Sequence, residues 1–197
     1  QELGNQRRTV FAMQAAGKFV FILTRDTSGY RYEVIDATGI RVSSLPVHSF
    51  AGRSFEFSSA NNRLYFTHCP GCTEDVEWIV IDPITGELTE RRDSGYRSNY
   101  RFFEPARVSR DGLFVALGSG NIFDAVSLEF IDSLPIAYTD AVWLDDGSLV
   151  TIRKAADDTV LEQWDSNLEF YNRQIVKGAP LGVIVTEGAI VVVTDRD

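Results

Sequence analysis

The stretch LYFTHCPGCTED, residues 64–75, holds both cysteines of the chain and one of its two histidines, so metal binding and thiol chemistry are the first reactions to weigh. Zinc wants four Cys or His ligands at workable spacing, and the chain offers Cys69, Cys72, His68 and the distant His48. His68 and Cys69 are adjacent, so they point to opposite sides of any strand that continues through them. A c-type haem needs its histidine after the second cysteine, whereas His68 precedes the first. A thioredoxin-like pair needs its first cysteine at a helix N-terminus, where the dipole lowers the thiol pKa, and no helical periodicity surrounds this one. The favoured reading is a Cys69–Cys72 disulfide across a turn with Pro70 and Gly71 in its two central positions. Closing so small a loop is worth roughly 2 kcal/mol in the chain-entropy picture.

A second chemistry-bearing stretch is RRDSGYRSNYRFFEPAR, residues 91–107, which sets Arg91, Arg92, Arg97, Arg101 and Arg107 among Tyr96, Tyr100, Phe102 and Phe103. Guanidinium groups and aromatic rings are what binding hot spots favour, because they bury area at small entropy cost and pair with carboxylate or phosphate. Arg97, Tyr100, Arg101 and Tyr96 are therefore the candidate ligand-binding residues. The competing expectation is that Phe102 and Phe103 fill a packing seam while the arginines balance neighbouring acids. A third pattern is an acidic rim, Asp26, Asp75, Asn121, Asp124, Asp157, Asp158 and Asp195. Calcium is the hard cation such oxygens would hold, although none of these stretches matches an EF-hand loop. No base stands near a nucleophile in a recognisable motif such as G-x-S-x-G, and spacing alone selects no pair among the 28 acids. No catalytic, cofactor-binding or metal-ligating residue is assigned.

Composition narrows the class. A chain of 197 residues, 44% hydrophobic, suits a globular protein with one core or one repeating array. A net charge of −9 and a pI near 4.7 would repel polyphosphate, which argues against nucleic acid as a partner. No apolar run approaches the roughly 18 residues of a membrane span, and QELGNQRRTV lacks the apolar centre of a leader. Membrane insertion is not expected.

Internal periodicity then supplies the elements that must position these residues. An apolar run, a turn and a second apolar run occur five times: TVFAMQAAGKFVFILTRD, FEFSSANNRLYFTH, ARVSRDGLFVALG, AVWLDDGSLVTIR and GVIVTEGAIVVVTD. The turns fall at Gly17, Asn62, Gly112, Gly147 and Gly188, residue types that accept the positive φ of a tight hairpin. Flanks rich in Val, Ile, Phe, Leu and Tyr, too short for helices, read as strands. After each of the first four hairpins comes a strand ending in Asp: YRYEVID at Asp36, VEWIVID at Asp82, VSLEFID at Asp132 and VLEQWD at Asp165. A turn and a weaker outer strand follow. Such an Asp closes its turn by accepting backbone N–H bonds from residues ahead of it, which makes it a poor catalytic candidate. Each unit thus reads as four antiparallel strands, the blade of a β-propeller.

LYFTH at 64–68 followed by IDPITGEL at 81–88 resembles the YVTN-type bacterial propeller repeats, and more loosely the NHL and quinoprotein-like blades. The resemblance covers most of the chain at superfamily level. Quinoprotein blades carry a docking tryptophan after D-x-x-T-G, and DATGIRV and DPITGELTER have none, which weakens the implication of a bound quinone. Trp164-Asp165 sits where a WD repeat places its dipeptide, but the other three units have Ile before the Asp and no Gly-His partner.

The expected architecture is all-β: a single propeller-like domain over 1–197, with units near 9–47, 54–93, 105–136, 138–177 and 181–197. The fifth unit reads as a hairpin without outer strands, as in a segment of a longer propeller, an open fan or two chains completing each other. Self-association through open sheet edges is one expectation from that. Fold analogy gives a non-catalytic module that recognises a protein or glycan through loops on one face. The rivals are part of a quinoprotein-like or hydrolytic propeller enzyme, and an architectural domain of a larger surface protein. A disulfide in CPGC would place the chain outside the cytosol, in the periplasm, secreted or on the cell surface.

Overall fold

The computed structural model describes residues 9–47, 51–68, 75–95, 100–187 and 189–195, apart from the side chains of 51–53 and 68. Every regular element among them is a strand, and the chain divides into two compact units, Gln1–Asn99 and Tyr100–Asp197. The fold is all-β, a propeller-type succession of antiparallel sheets built from consecutive strands.

The first unit holds two four-stranded sheets. One comprises β1 (Thr9–Ala16), β2 (Phe19–Asp26), β3 (Gly29–Ile35) and β4 (Arg41–Val47). The other comprises β5 (Ala51–Ser58), β6 (Arg63–His68), β7 (Val76–Ile81) and β8 (Leu88–Asp93). Alternation sends Phe21, Leu23, Tyr32, Val34, Phe55 and Phe66 into one core between the sheets. Four of these rings interlock at centroid distances of 5.0–5.5 Å, Phe21 on Tyr32 and Phe55, Phe66 on Tyr32 and Phe55, the tilted geometry that aromatic quadrupoles favour.

The second unit holds β9 (Ala106–Val108), β10 (Phe114–Leu117), β11 (Asn121–Asp124) and β12 (Phe130–Ser133) in one sheet. The next has β13 (Asp140–Trp143), β14 (Leu149–Ala155), β15 (Asp158–Trp164) and β16 (Phe170–Lys177). Among the described residues β17 (Ala179–Thr186) and β18 (Ala189–Asp195) form a two-stranded sheet. Trp143, Leu149 and Trp164 pack toward the preceding sheet with Ala116, Ile122 and Leu134. On the other face Val150, Ile152 and Leu161 meet Val183.

The turn chemistry expected from sequence is present. Gly17, Asn62, Gly112 and Gly147 all have positive φ, at 62°, 55°, 74° and 82°; Gly188 lies outside the described residues, and in that last hairpin Glu187 has φ 46°. Asp36 Oδ1 accepts from Thr38 N and Ile40 N at 2.9 Å, Asp82 Oδ1 from Ile84 N and Thr85 N, and Asp165 Oδ1 from Asn167 N and Glu169 N. The Thr38 hydroxyl above all, then the Ile40 amide, hold the Asp36 carboxyl below its usual range. Asp82 is lowered in the same way by the Thr85 and Ile84 amides.

The third repeat departs from the sequence reading. VSLEFID is not its third strand and Asp132 is not its turn acid. The third strand is β11 and the acid is Asp124, whose Oδ1 accepts from Val126 N at 2.9 Å and Ser127 N at 2.6 Å, while Asp132 lies on the outer strand β12. The reason is the early reversal at Gly118-Ser119-Gly120. A Cβ on Gly118 would stand 2.0 Å from Glu104 O, and Gly120 has φ +93° with Ile136 O 2.3 Å from where its Cβ would be. Two glycines let the chain turn after a four-residue β10, so the sheet is finished sooner than its neighbours.

Candidate functional site

The link 91–107 is divided between packing and exposure. Tyr100 stacks on Phe130 at 4.5 Å and 15° and meets Phe123 edge-on at 5.9 Å, while Phe102 is buried and stacks on Phe123 at 5.8 Å. These rings cover the sheet β9–β12. Phe103 is 45% exposed, and Arg101 is exposed with its carbonyl accepting from Asn121 Nδ2 at 2.9 Å. Arg91 and Arg107 do balance acids, Arg91 forking onto Glu77 at 2.6 and 2.9 Å and Arg107 onto Asp140. Of the candidate ligand-binding residues, Tyr96 and Arg97 lie outside the described residues, as do Cys69, Cys72 and His48. Tyr100 is half-buried and structural in its contacts; Arg101 projects from the same loop. Tyr100→Ala is thus expected to cost about 1–2 kcal/mol in urea unfolding, through lost stacking and area, and Arg101→Ala less than about 0.5 kcal/mol.

The inner strands of the second unit meet at a carboxylate the sequence reading missed. Asp140, at the head of β13, accepts from Arg107 Nε at 2.9 Å and Nη2 at 2.6 Å through Oδ1, and from Val183 N at 3.0 Å through Oδ2. Arg107 also donates to the carbonyls of Ala141 and Ala106, and its own carbonyl accepts from Trp143 Nε1 at 3.0 Å. One ion pair thereby ties β9, β13 and β17 together. Tyr138 lies beside it with a buried hydroxyl that has no partner among the described residues. Burial, with Asp140 adding to it and Arg107 opposing, raises that phenol well above its usual range.

A second missed feature repeats. Glu33, Glu77 and Glu162, on third strands, are all buried, and each pairs with an arginine of the fourth strand: Arg41, Arg91 and Arg173, each at 2.6 Å. Glu162 also receives Arg153 Nε at 3.1 Å. Burial pushes Glu162 up, but hydrogen bonds and charge from Arg153 and Arg173 outweigh it and hold the carboxyl below its usual range. An acid in each of YRYEVID, VEWIVID and VLEQWD, upstream of the turn Asp, was the available signal.

Because neighbours in each sheet run antiparallel, the β14–β15 hairpin and the links into β13 and β17 emerge at one end of the second unit. Two concavities open there. One of about 580 Å³ is lined by Lys154, Asp157, Asp158, Lys177 and Asp195; the other, about 500 Å³, lies against Tyr138, Thr139, Arg153 and Lys154. Lys177 Nζ donates to Asp158 Oδ2 at 2.9 Å, and Thr159 Oγ1 to Gly178 O at 2.7 Å, which fixes the β16–β17 link against β15. Lys154 borders both hollows. The acidic rim expected from sequence is only partly gathered: Asp157, Asp158 and Asp195 border the larger hollow, whereas Asp124 closes a turn and Asp75 is buried. Burial above all, opposed by its bonds from Ser94 and Val76, raises the Asp75 carboxyl. Among the described residues no three His, Cys, Asp or Glu side chains converge as a metal would require.

No protein-family model and no curated protein matches the sequence. Solved structures match the fold. The Dos1 propeller superposes with a TM-score of 0.62 at 13% identity, covering 93% of this chain and 52% of its own. The dihydro-heme d1 dehydrogenase NirN, in complex with DHE, gives 0.61 at 14% identity over 92% of this chain and 40% of its own. A Bacteroides thetaiotaomicron protein of unknown function gives 0.62 at 12% identity over 97% and 54%. The chain thus spans about half the length of the structures it matches, and at these identities the likeness is one of fold: this chain is built like a β-propeller.

Proposed function

We propose that the chain is a non-catalytic recognition module that binds a protein or glycan through the loops at the β14–β15 end of its second unit. The observation that carries this reading is a concavity and an adjoining shallow depression, both bordered by Lys154 and walled by a hairpin and two inter-sheet links. Such loops can vary while the sheets beneath stay fixed. Mixed charge, with no aromatic platform among the described residues that line the larger hollow, suits a polar protein surface better than a sugar ring. Arg101 and Phe103, exposed on the link into β9, belong to the same proposal. Peptide-display and glycan-array selections on the wild-type chain, followed by calorimetry, test it. Lys154→Ala combined with Asp157→Ala should weaken a selected ligand about tenfold while the thermal midpoint moves little; undiminished affinity would refute this site.

A location outside the cytosol is part of the same reading and rests on the CPGC stretch. Intact mass with and without alkylation of protein kept from reductant should show no free thiol. Two alkylated cysteines would remove both the disulfide and the argument for compartment.

A further inference from the structure

The opposite end of the second unit carries a different surface. There the β9–β10 and β13–β14 hairpins and the β15–β16 turn surround two adjoining hollows, of about 290 and about 170 Å³. Phe114, Trp143 and Ser166 line both. The two rings lie nearly parallel, 22° apart with centroids at 6.1 Å, at the floor of the groove between sheets β9–β12 and β13–β16, where Trp143 is buried and Phe114 is partly exposed. The rim is acidic: Asp111, Asp145 and Asp146 border the larger hollow and Asp132 the smaller, against a single cation among the described residues, Arg110. Asp111 and Asp146 are held by their own hairpins, through Ser109 Oγ and Ser148 Oγ at 2.6 Å. Asp145 is not; it is 81% exposed, and its carboxylate is paired with the Arg110 guanidinium of the neighbouring hairpin.

That pair shows what the acidic rim accepts. A guanidinium from another segment sits at the Asp145 carboxylate on the rim of the groove, and guanidinium is the cation that both forks onto carboxylates and stacks on rings. Both partners are exposed, so solvent screens the contact and an incoming group can replace it. We infer that this groove binds an arginine side chain of a protein partner, with Arg110 as the resident competitor that the partner's arginine displaces from Asp145. The surface is distinct from the Lys154 hollows and does not depend on them.

The test uses the full chain and a blocked peptide, acetyl-Gly-Gly-Arg-Gly-Gly-amide, followed by amide chemical-shift titration. Its citrulline counterpart has the same shape without charge. Glu90→Gln, on exposed β8, controls for net charge. The expected result is that R110A binds the arginine peptide about threefold tighter than wild type and D145N about tenfold weaker, with shifts centred on the Phe114 and Trp143 region. Equal binding of the citrulline peptide, a loss in D145N no greater than in Glu90→Gln, or no gain in R110A would each overturn the inference. Circular dichroism of each variant confirms that the fold is kept, since neither Arg110 nor Asp145 is buried.

Discussion

Asp140→Ala is expected to lower the unfolding free energy by about 3–5 kcal/mol, among the largest effects of any single polar substitution in this chain. The side chain accepts two bonds from Arg107 and one each from the buried Ala141 and Val183 amides. Its removal takes the acceptor from two buried amides and the Asp140 carboxylate from a guanidinium only 23% exposed. An orphaned buried donor carries its whole desolvation cost. Arg107→Ala should come close to the same loss, because it strands the carboxylate instead. The double variant should then fall well short of the sum, since both singles break one interaction. Urea unfolding of the three variants measures this. A loss below about 1 kcal/mol for Asp140→Ala would mean that water replaces the network and that β17 is held by apolar contact alone.

The second large effect concerns Glu162, 1% exposed and clamped by two arginines. Removing both, Arg153→Ala with Arg173→Ala, leaves a buried carboxylate with no counter-charge and should cost about 3 kcal/mol at neutral pH. The pH dependence should change sign as well. In the wild type the folded carboxyl titrates below its ordinary value of 4.5. The stability it contributes is therefore fully present above that value and is lost as pH falls through the folded pKa. In the double variant only burial remains, which moves the folded pKa above the unfolded one. The penalty is then full at neutral pH and disappears as acid protonates the group. Urea midpoints from pH 7 down to 3 should show the two proteins converging. Parallel curves would show that Glu162 is not the group responsible.

Much of this architecture was readable from the sequence because local chemistry specifies it. Hairpin turns demanded Gly or Asn at Gly17, Asn62, Gly112 and Gly147, and three of the four turn acids, Asp36, Asp82 and Asp165, announced themselves by position. The third repeat was misread because Asp132 imitates the pattern eight residues after the true acid, Asp124. What decides between them is the Gly118–Gly120 reversal, a matter of backbone clearance against Glu104 and Ile136 that no periodicity encodes. The Arg107–Asp140 contact joins residues 33 apart, and nothing in their spacing singles them out from other arginines and acids. The groove beside Trp143 was hidden for the same reason. It exists only when two hairpins and a turn from two sheets are set side by side, and each of those segments alone reads as an ordinary polar turn.

Among the described residues every ladder joins strands that follow one another along the chain. During synthesis each sheet can therefore close as soon as its last strand leaves the ribosome, without waiting for distant sequence. A ribosome stalled with residues 1–99 emerged should already carry a protease-resistant body, before the second unit has left the exit tunnel.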